Sequence, residues 1–155
     1  MQSNPDMPET DSQNVVQVPD ASADEFLLVY DKQCPACENY CQMVRIRESV
    51  GKLTLVDARD NPPVMHEITA AGLDIDDGMV LKMHGKLYYG SDAIHALSLL
   101  STRSGIFNRL NYHIFSSPKV SKILYPVLAA CRALLLKLLR RTRINNLAKS
   151  GNDRF

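Results

Sequence analysis

Three cysteines fall within eight residues of one another, Cys34, Cys37 and Cys41 in the stretch VYDKQCPACENYC at residues 29–41. A C-x2-C pair has a clear chemical use where it opens a helix. The first thiol then meets unpaired backbone N–H groups and the positive end of the helix macrodipole, which together favour a thiolate. Such placement lowers a thiol pKa from roughly 8.5 to between about 3.5 and 7.5. On this reading Cys34 attacks a disulfide, and Cys37, almost one turn later on the same side, resolves the mixed disulfide by forming the Cys34–Cys37 bond. Pro35 suits the first helical turn because it has no N–H to leave unpaired. Asp31, three residues before Cys34, is placed to cap the helix or to relay a proton to the resolving thiol. These roles conflict, because a carboxylate close to Cys34 would oppose thiolate formation.

Other uses of the same residues compete. The spacing C-x2-C-x3-C puts three thiols on one helical face and raises a metal site. Structural zinc, however, takes four ligands, usually as two separated pairs. Cys131 stands alone in an apolar helix, and His66, His84, His95 and His113 show no ligand spacing. No metal is therefore assigned, and Cys41 reads as a small buried hydrophobe. Two inert structural thiols at Cys34 and Cys37 form the remaining alternative, and their place after a strand and at a helix start is hard to explain that way.

The elements that must position these residues can be read outward from the motif. FLLVY (26–30) is a short continuous apolar run, the pattern of a strand buried on both faces. From Cys34 to about Ser49, Cys37, Tyr40, Cys41 and Val44 recur at helical spacing, with Gly51 at the end. KLTLVDA (52–58) predicts a second strand. NPPVMHEITAAG predicts a helix capped by Asn61 and ended by Gly72. GMVLKMHGKLYYG predicts two strands around a His84-Gly85 turn, and SDAIHALSLLS a helix capped by Ser91. The order β-α-β-α-β-β-α implies one parallel crossover and a final antiparallel pair.

The 155 residues are 45% hydrophobic and 23% charged, enough for one core and ordinary for a soluble protein. Residues 1–24 are acidic and rich in Pro, Ser, Asp, Gln and Asn, and are expected to be a disordered tail. They carry neither the basic nor the apolar region of a secretory signal, and they lack Arg, so a reducing cytoplasm is the expected compartment. The net charge of +1 hides an asymmetry: residues 1–100 hold 7 Lys+Arg against 16 Asp+Glu, and residues 101–155 hold 11 against 1. The expected organisation is a core at 25–101, a basic helical extension at 102–149 packed on or beside it, and a short tail at 150–155. From Val120, the residues Ile123, Leu124, Val127, Leu128, Cys131, Leu134, Leu135 and Leu138 fall on one helical face. Pro126 is expected to kink or restart this segment. No run of about 18 uncharged apolar residues exists to cross a membrane. The basic half either packs on its own acidic domain or meets an anionic membrane or protein through residues 117–143. Few aromatics are interleaved with its cations, which argues against nucleic acid.

Taken together, YDKQCPACENYC resembles the D-x-x-C-x-x-C signature of the DCC family of predicted thiol-disulfide oxidoreductases, with Asp31, Cys34 and Cys37 at the matching positions. LTLVDA resembles the family's second strand, and HGKLYYGSDAIHAL its turn, strand and G-x-D-A helix start at Gly90, Asp92 and Ala93. Tyr125 and Arg132 in LYPVLAACR resemble a Tyr and Arg seven apart near the family's C-terminus. The commonest family form has Gly after the Asp, where this chain has Lys32. The resemblance spans roughly residues 26–140 and implies a thioredoxin-like α/β fold. It also implies disulfide exchange with a protein or low-molecular-weight thiol partner, without a bound organic cofactor. Aligned with glutaredoxins, Met79 stands where a cis-proline shapes the substrate groove, and Ser91 and Asp92 stand where thiol peptides are contacted. A non-catalytic binding module with a vestigial dithiol, docking through its basic helix, is the alternative from another class.

Overall fold

The computed structural model describes residues 25–155, so the expected tail at 1–24 lies outside the described residues. Four strands form one sheet: β1 (Glu25–Tyr30), β2 (Lys52–Asp57), β3 (Val80–Met83) and β4 (Lys86–Tyr89), in the order β2-β1-β3-β4. β1 pairs parallel with β2 and antiparallel with β3, which pairs antiparallel with β4. As the central strand, β1 buries Phe26, Leu28, Val29 and Tyr30, which is why its sequence is a continuous apolar run. The helices are α1 (Pro35–Met43), α2 (Val64–Ala70), α3 (Ser91–Leu100), α4 (Ile106–Phe115) and α5 (Pro118–Leu138). This mixed α/β arrangement is a thioredoxin-like core with a helical C-terminal part.

The β3–β4 hairpin closes on His84 and Gly85, both at positive φ (48° and 73°), as a right-twisted two-residue turn requires. Three expected boundaries move. The first helix ends at Met43 rather than near Ser49, because the chain beyond it pairs elsewhere. Val44 turns extended into the core, Arg45 N–H donates to Asn108 Oδ1 (3.2 Å), and Ile46 bridges Ser101. Asn61 does not cap α2: it is left-handed (φ 49°) and ends a single 3₁₀ turn at Ala58–Asp60, and α2 begins after Pro63. Ser91 does not cap α3 either; Gly90 holds that position at φ 57°, ψ −117°, a conformation suited to glycine.

The C-terminal half departs most from expectation. α5 runs as one helix through Pro126, with the proline on its exposed side and no restart. α5 packs on the molecule mainly through a face other than the exposed part of the apolar stripe. Its inner face carries Ser121 and Leu136, both buried, with Tyr125 and Arg132 between them. Val120, Ile123, Val127, Leu134 and Leu138 face outward and are exposed. The inner face fits because Gly78 and Gly90 leave room for the Tyr125 ring; a Cβ at Gly78 would land on its hydroxyl. Residues 150–155 are not a loose tail: Arg154 bridges Thr142, and Phe155 packs against the main core.

Leu136 is fully buried with Phe26, Leu28, Cys34 and Leu97 in that core. Leu136→Ala should cost about 3 kcal/mol, the usual range for a fully buried leucine. Urea unfolding monitored by circular dichroism measures it, and a loss under about 1 kcal/mol would show that α5 is not anchored there.

Candidate active site at the start of helix α1

The local sequence sets the geometry of the motif. β1 ends at Tyr30, and the chain turns through Asp31, whose side chain accepts the Gln33 N–H (2.9 Å) while its carbonyl accepts that of Cys34 (3.1 Å). Cys34 is then the N-cap of α1, with extended backbone angles, and Pro35 opens the helix. The Cys34 sulfur accepts the Cys37 backbone N–H at 3.4 Å, so the thiol takes the place of a capping oxygen. Sulfur so placed answers one of the unpaired N–H groups at the helix start.

The two thiols are driven apart in acidity. Cys34 is pulled down to about 6, first by a hydrogen bond from the Cys37 side chain and then by the Cys37 backbone N–H and the Arg132 guanidinium, against burial that pushes it up. Cys37 is pushed far upward, because it donates its proton to Cys34 and is itself buried. Both shifts favour the charge on Cys34 and the proton on Cys37. Access runs the other way: Cys34 is fully closed to solvent, whereas Cys37 is 9% exposed. Cys37 faces an apolar cavity of about 290 Å³ between α1 and α5, walled also by Tyr40, Met79, Tyr125, Leu128 and Arg132.

Arg132 reaches this site from the inner face of α5. One of its terminal nitrogens donates to the Asp76 carbonyl, and its buried Nε has no protein partner. Asp31 lies under the opposite control. Both of its oxygens are held by Arg59 (Nε 2.7 Å, Nη2 3.0 Å), and its side chain is fully buried. Arg59 in turn donates to the Thr142 carbonyl at 2.6 Å. Engaged in this way, the carboxylate braces the turn that delivers Cys34.

Of the other residues singled out in the sequence, Met79 lines the cavity beside Cys37. Ser91 and Asp92 do not; Asp92 borders a separate depression with Met83, Tyr88 and His95. Cys41 is buried in the core, among Cys34, Cys37 and Val44. Among the described residues no cluster of three or more His, Cys, Asp or Glu side chains could hold a metal ion. Sequence reasoning matched Tyr125 and Arg132 to the family's C-terminal Tyr and Arg without placing them in the site, and it left out Arg59. Arg132 carried a signal, a single cation in the middle of an apolar helical run; Arg59 carried none.

Two neighbouring thiols, the first capping a helix at a strand-to-helix junction of a thioredoxin-like sheet, are the arrangement of the dithiol proteins of that fold. More particularly, the family model for DCC1-like thiol-disulfide oxidoreductases matches residues 28–138, and the chain belongs to that family. No curated protein and no solved structure matched the chain in the same comparisons.

Two measurements follow from this geometry. Thiolate absorbance at 240 nm should titrate with a midpoint near pH 6, the thiolate fraction falling as pH drops through that value. Arg132→Gln removes a favourable charge and should raise the midpoint by about one pH unit; an unchanged midpoint would separate Arg132 from the thiol. Asp31→Asn leaves Arg59 without its buried partner and should cost about 3 kcal/mol in urea unfolding. A neutral effect there would mean that the ion pair does not brace the turn.

Proposed function

We propose that this protein exchanges thiols and disulfides through the Cys34–Cys37 couple, with a protein or low-molecular-weight disulfide as substrate. The observation that carries the reading is the placement of the pair: Cys34 caps α1 with its sulfur on the Cys37 N–H at 3.4 Å, Cys37 lies beside it, and Arg132 approaches both thiols, an arrangement that favours a thiolate at Cys34. In the first step the Cys34 thiolate attacks one sulfur of the substrate. The substrate S–S bond breaks, a mixed disulfide forms on Cys34, and the departing thiolate takes a proton. Cys37 then loses its proton and attacks the Cys34 sulfur, releasing the second substrate thiol. The substrate gains two electrons and the protein keeps the Cys34–Cys37 disulfide; run backward, the same steps oxidise a dithiol.

Each group nearby has a role in this scheme. Arg132 holds the charge on Cys34, and in the reverse direction it stabilises that thiolate when Cys34 leaves the mixed disulfide. Met79 and Tyr40 offer apolar surface for the chain or group that flanks the substrate sulfur. Asp31 is a positioning residue, since Arg59 occupies its oxygens. Because Cys34 is closed to solvent, attack follows a local opening of the cover over it.

The test is reduction of insulin and of a small disulfide by the wild type, Cys34→Ser and Cys37→Ser. Both variants should lose turnover, and Cys37→Ser should still react with oxidised glutathione, keeping one glutathione as a mixed disulfide on Cys34 and releasing the other as the thiol. Equal turnover in all three proteins would remove the proposal. Capture on Cys37 in the Cys34→Ser protein, with none in Cys37→Ser, would reverse the two roles.

A further inference from the structure

α5 presents two faces of different character. Its inner face is committed to the fold through Ser121, Tyr125, Arg132 and Leu136. Its outer face is apolar and open: Ile123 is 75% exposed, Val127 56%, Leu134 59% and Leu138 73%. These positions recur at helical spacing and form one stripe along a 21-residue helix, about 30 Å long at 1.5 Å per residue. A contiguous apolar surface of this length is unusual on a molecule that meets only water, and such patches mark interaction surfaces.

The charges around the stripe say what covers it. The ionised side chains of α5 are Lys119, Lys122, Arg132 and Lys137, all cationic, and Asp153 is the single acidic residue after position 100. At 100° per residue, Lys119 and Lys137 lie about 70° from the middle of the stripe on one flank, and Lys122 about 130° round the same side. Long lysine stems let the ammonium groups reach past an apolar face toward a polar layer. An apolar stripe bordered by lysines, with no acidic residue on the helix, is the pattern of a helix lying in the plane of an anionic bilayer. A second copy would bring like charges together, whereas anionic headgroups supply the missing counter-charge. No helix among the described residues is long and apolar enough to cross a membrane, so the contact is one of lying on the surface.

We infer that α5 docks this protein on an anionic lipid surface, with its axis along the membrane and the Ile123–Val127–Leu134–Leu138 stripe at the headgroup boundary. Leu128, beside the stripe, also walls the cavity next to Cys37, so docking brings the dithiol site to the bilayer surface. The inference does not rest on disulfide exchange, and its test reads lipid binding alone.

The full chain is sedimented with vesicles of phosphatidylglycerol and phosphatidylcholine, and with phosphatidylcholine vesicles alone. Binding is expected to the anionic vesicles and to weaken as salt is raised. Ile123→Glu, Val127→Glu and Leu134→Glu together should lower binding by at least about tenfold. Each of Lys119→Gln, Lys122→Gln and Lys137→Gln should lower it by about fivefold. Circular dichroism and the 240 nm thiolate titration should match the wild type in all these variants, since every substituted residue lies outside the core and the dithiol site. Absence of binding to anionic vesicles, or equal binding to both kinds, overturns the proposal. So does a wild-type dimer without vesicle binding that the triple Glu variant converts to monomer, which would make the stripe a self-interface.

Discussion

A half-buried cation beside a thiol pair is the constraint on which the rest of the structure turns. Arg132 stands between the Cys34–Cys37 couple and the Asp76 carbonyl, on a helix that begins only at residue 118. A guanidinium withdrawn from water must be met by negative charge or by hydrogen-bond acceptors, or the withdrawal costs several kcal/mol. The elements that hold α5 in place therefore also hold the chemistry in place. Leu136 anchors the helix one turn beyond Arg132, and Tyr125 seats against Gly78 and Gly90 two turns before it. Phe155 returns to lie 5.8 Å from the Arg132 guanidinium and 4.7 Å from that of Arg143, so even the chain end is drawn toward the site.

A second ion pair separates two effects that would otherwise oppose each other. An unpartnered carboxylate three residues before Cys34 would work against the thiolate. Arg59 takes both oxygens of Asp31, and the Gln33 amide shares one of them, so the carboxylate meets positive charge of its own. The turn can thus use a carboxylate for rigidity while α1 uses its N-terminal amide and Arg132 for acidity. The Arg59 bond to the Thr142 carbonyl ties the same turn to the segment after α5. Both ends of the site are in this way coupled to the C-terminal chain.

How much of this was legible depends on whether the cause was local. The buried strand, the helix start at the CxxC pair and the His84-Gly85 hairpin follow from short-range rules, and they stand where the sequence placed them. The first helix was read too long because Val44 fits a helical stripe equally well whether it continues the helix or turns into the core. What decides is the pairing of Ile46 with Ser101 and of Arg45 with Asn108, partners more than fifty residues away. Asn61 and Ser91 were read as caps because both residue types cap helices. Asn61 is left-handed and ends the 3₁₀ turn, so α2 begins after Pro63, and a glycine needed beside Tyr125 holds the position before α3. On α5 the stripe was visible, but amphipathicity alone does not say which face points inward. The small and mixed residues of the inner face won because they fit the narrow space over Gly78 and Gly90 and delivered the arginine.

Sequence by itself determined the identity and spacing of the groups at the candidate site, two thiols at a helix start and a carboxylate in the preceding turn, and an all-cationic helix carrying an apolar stripe. These are properties of neighbouring residues, fixed by backbone geometry and helical period. Only the tertiary structure decided that Arg132 lies beside Cys34, that Arg59 occupies Asp31, and that Cys37 faces the cavity while Cys34 is closed to solvent. Those outcomes depend on burial and charge pairing across 28 residues for Asp31–Arg59 and nearly a hundred for Cys34–Arg132. In such pairings, which groups are brought together and desolvated sets the energy, and the order of residues along the chain does not.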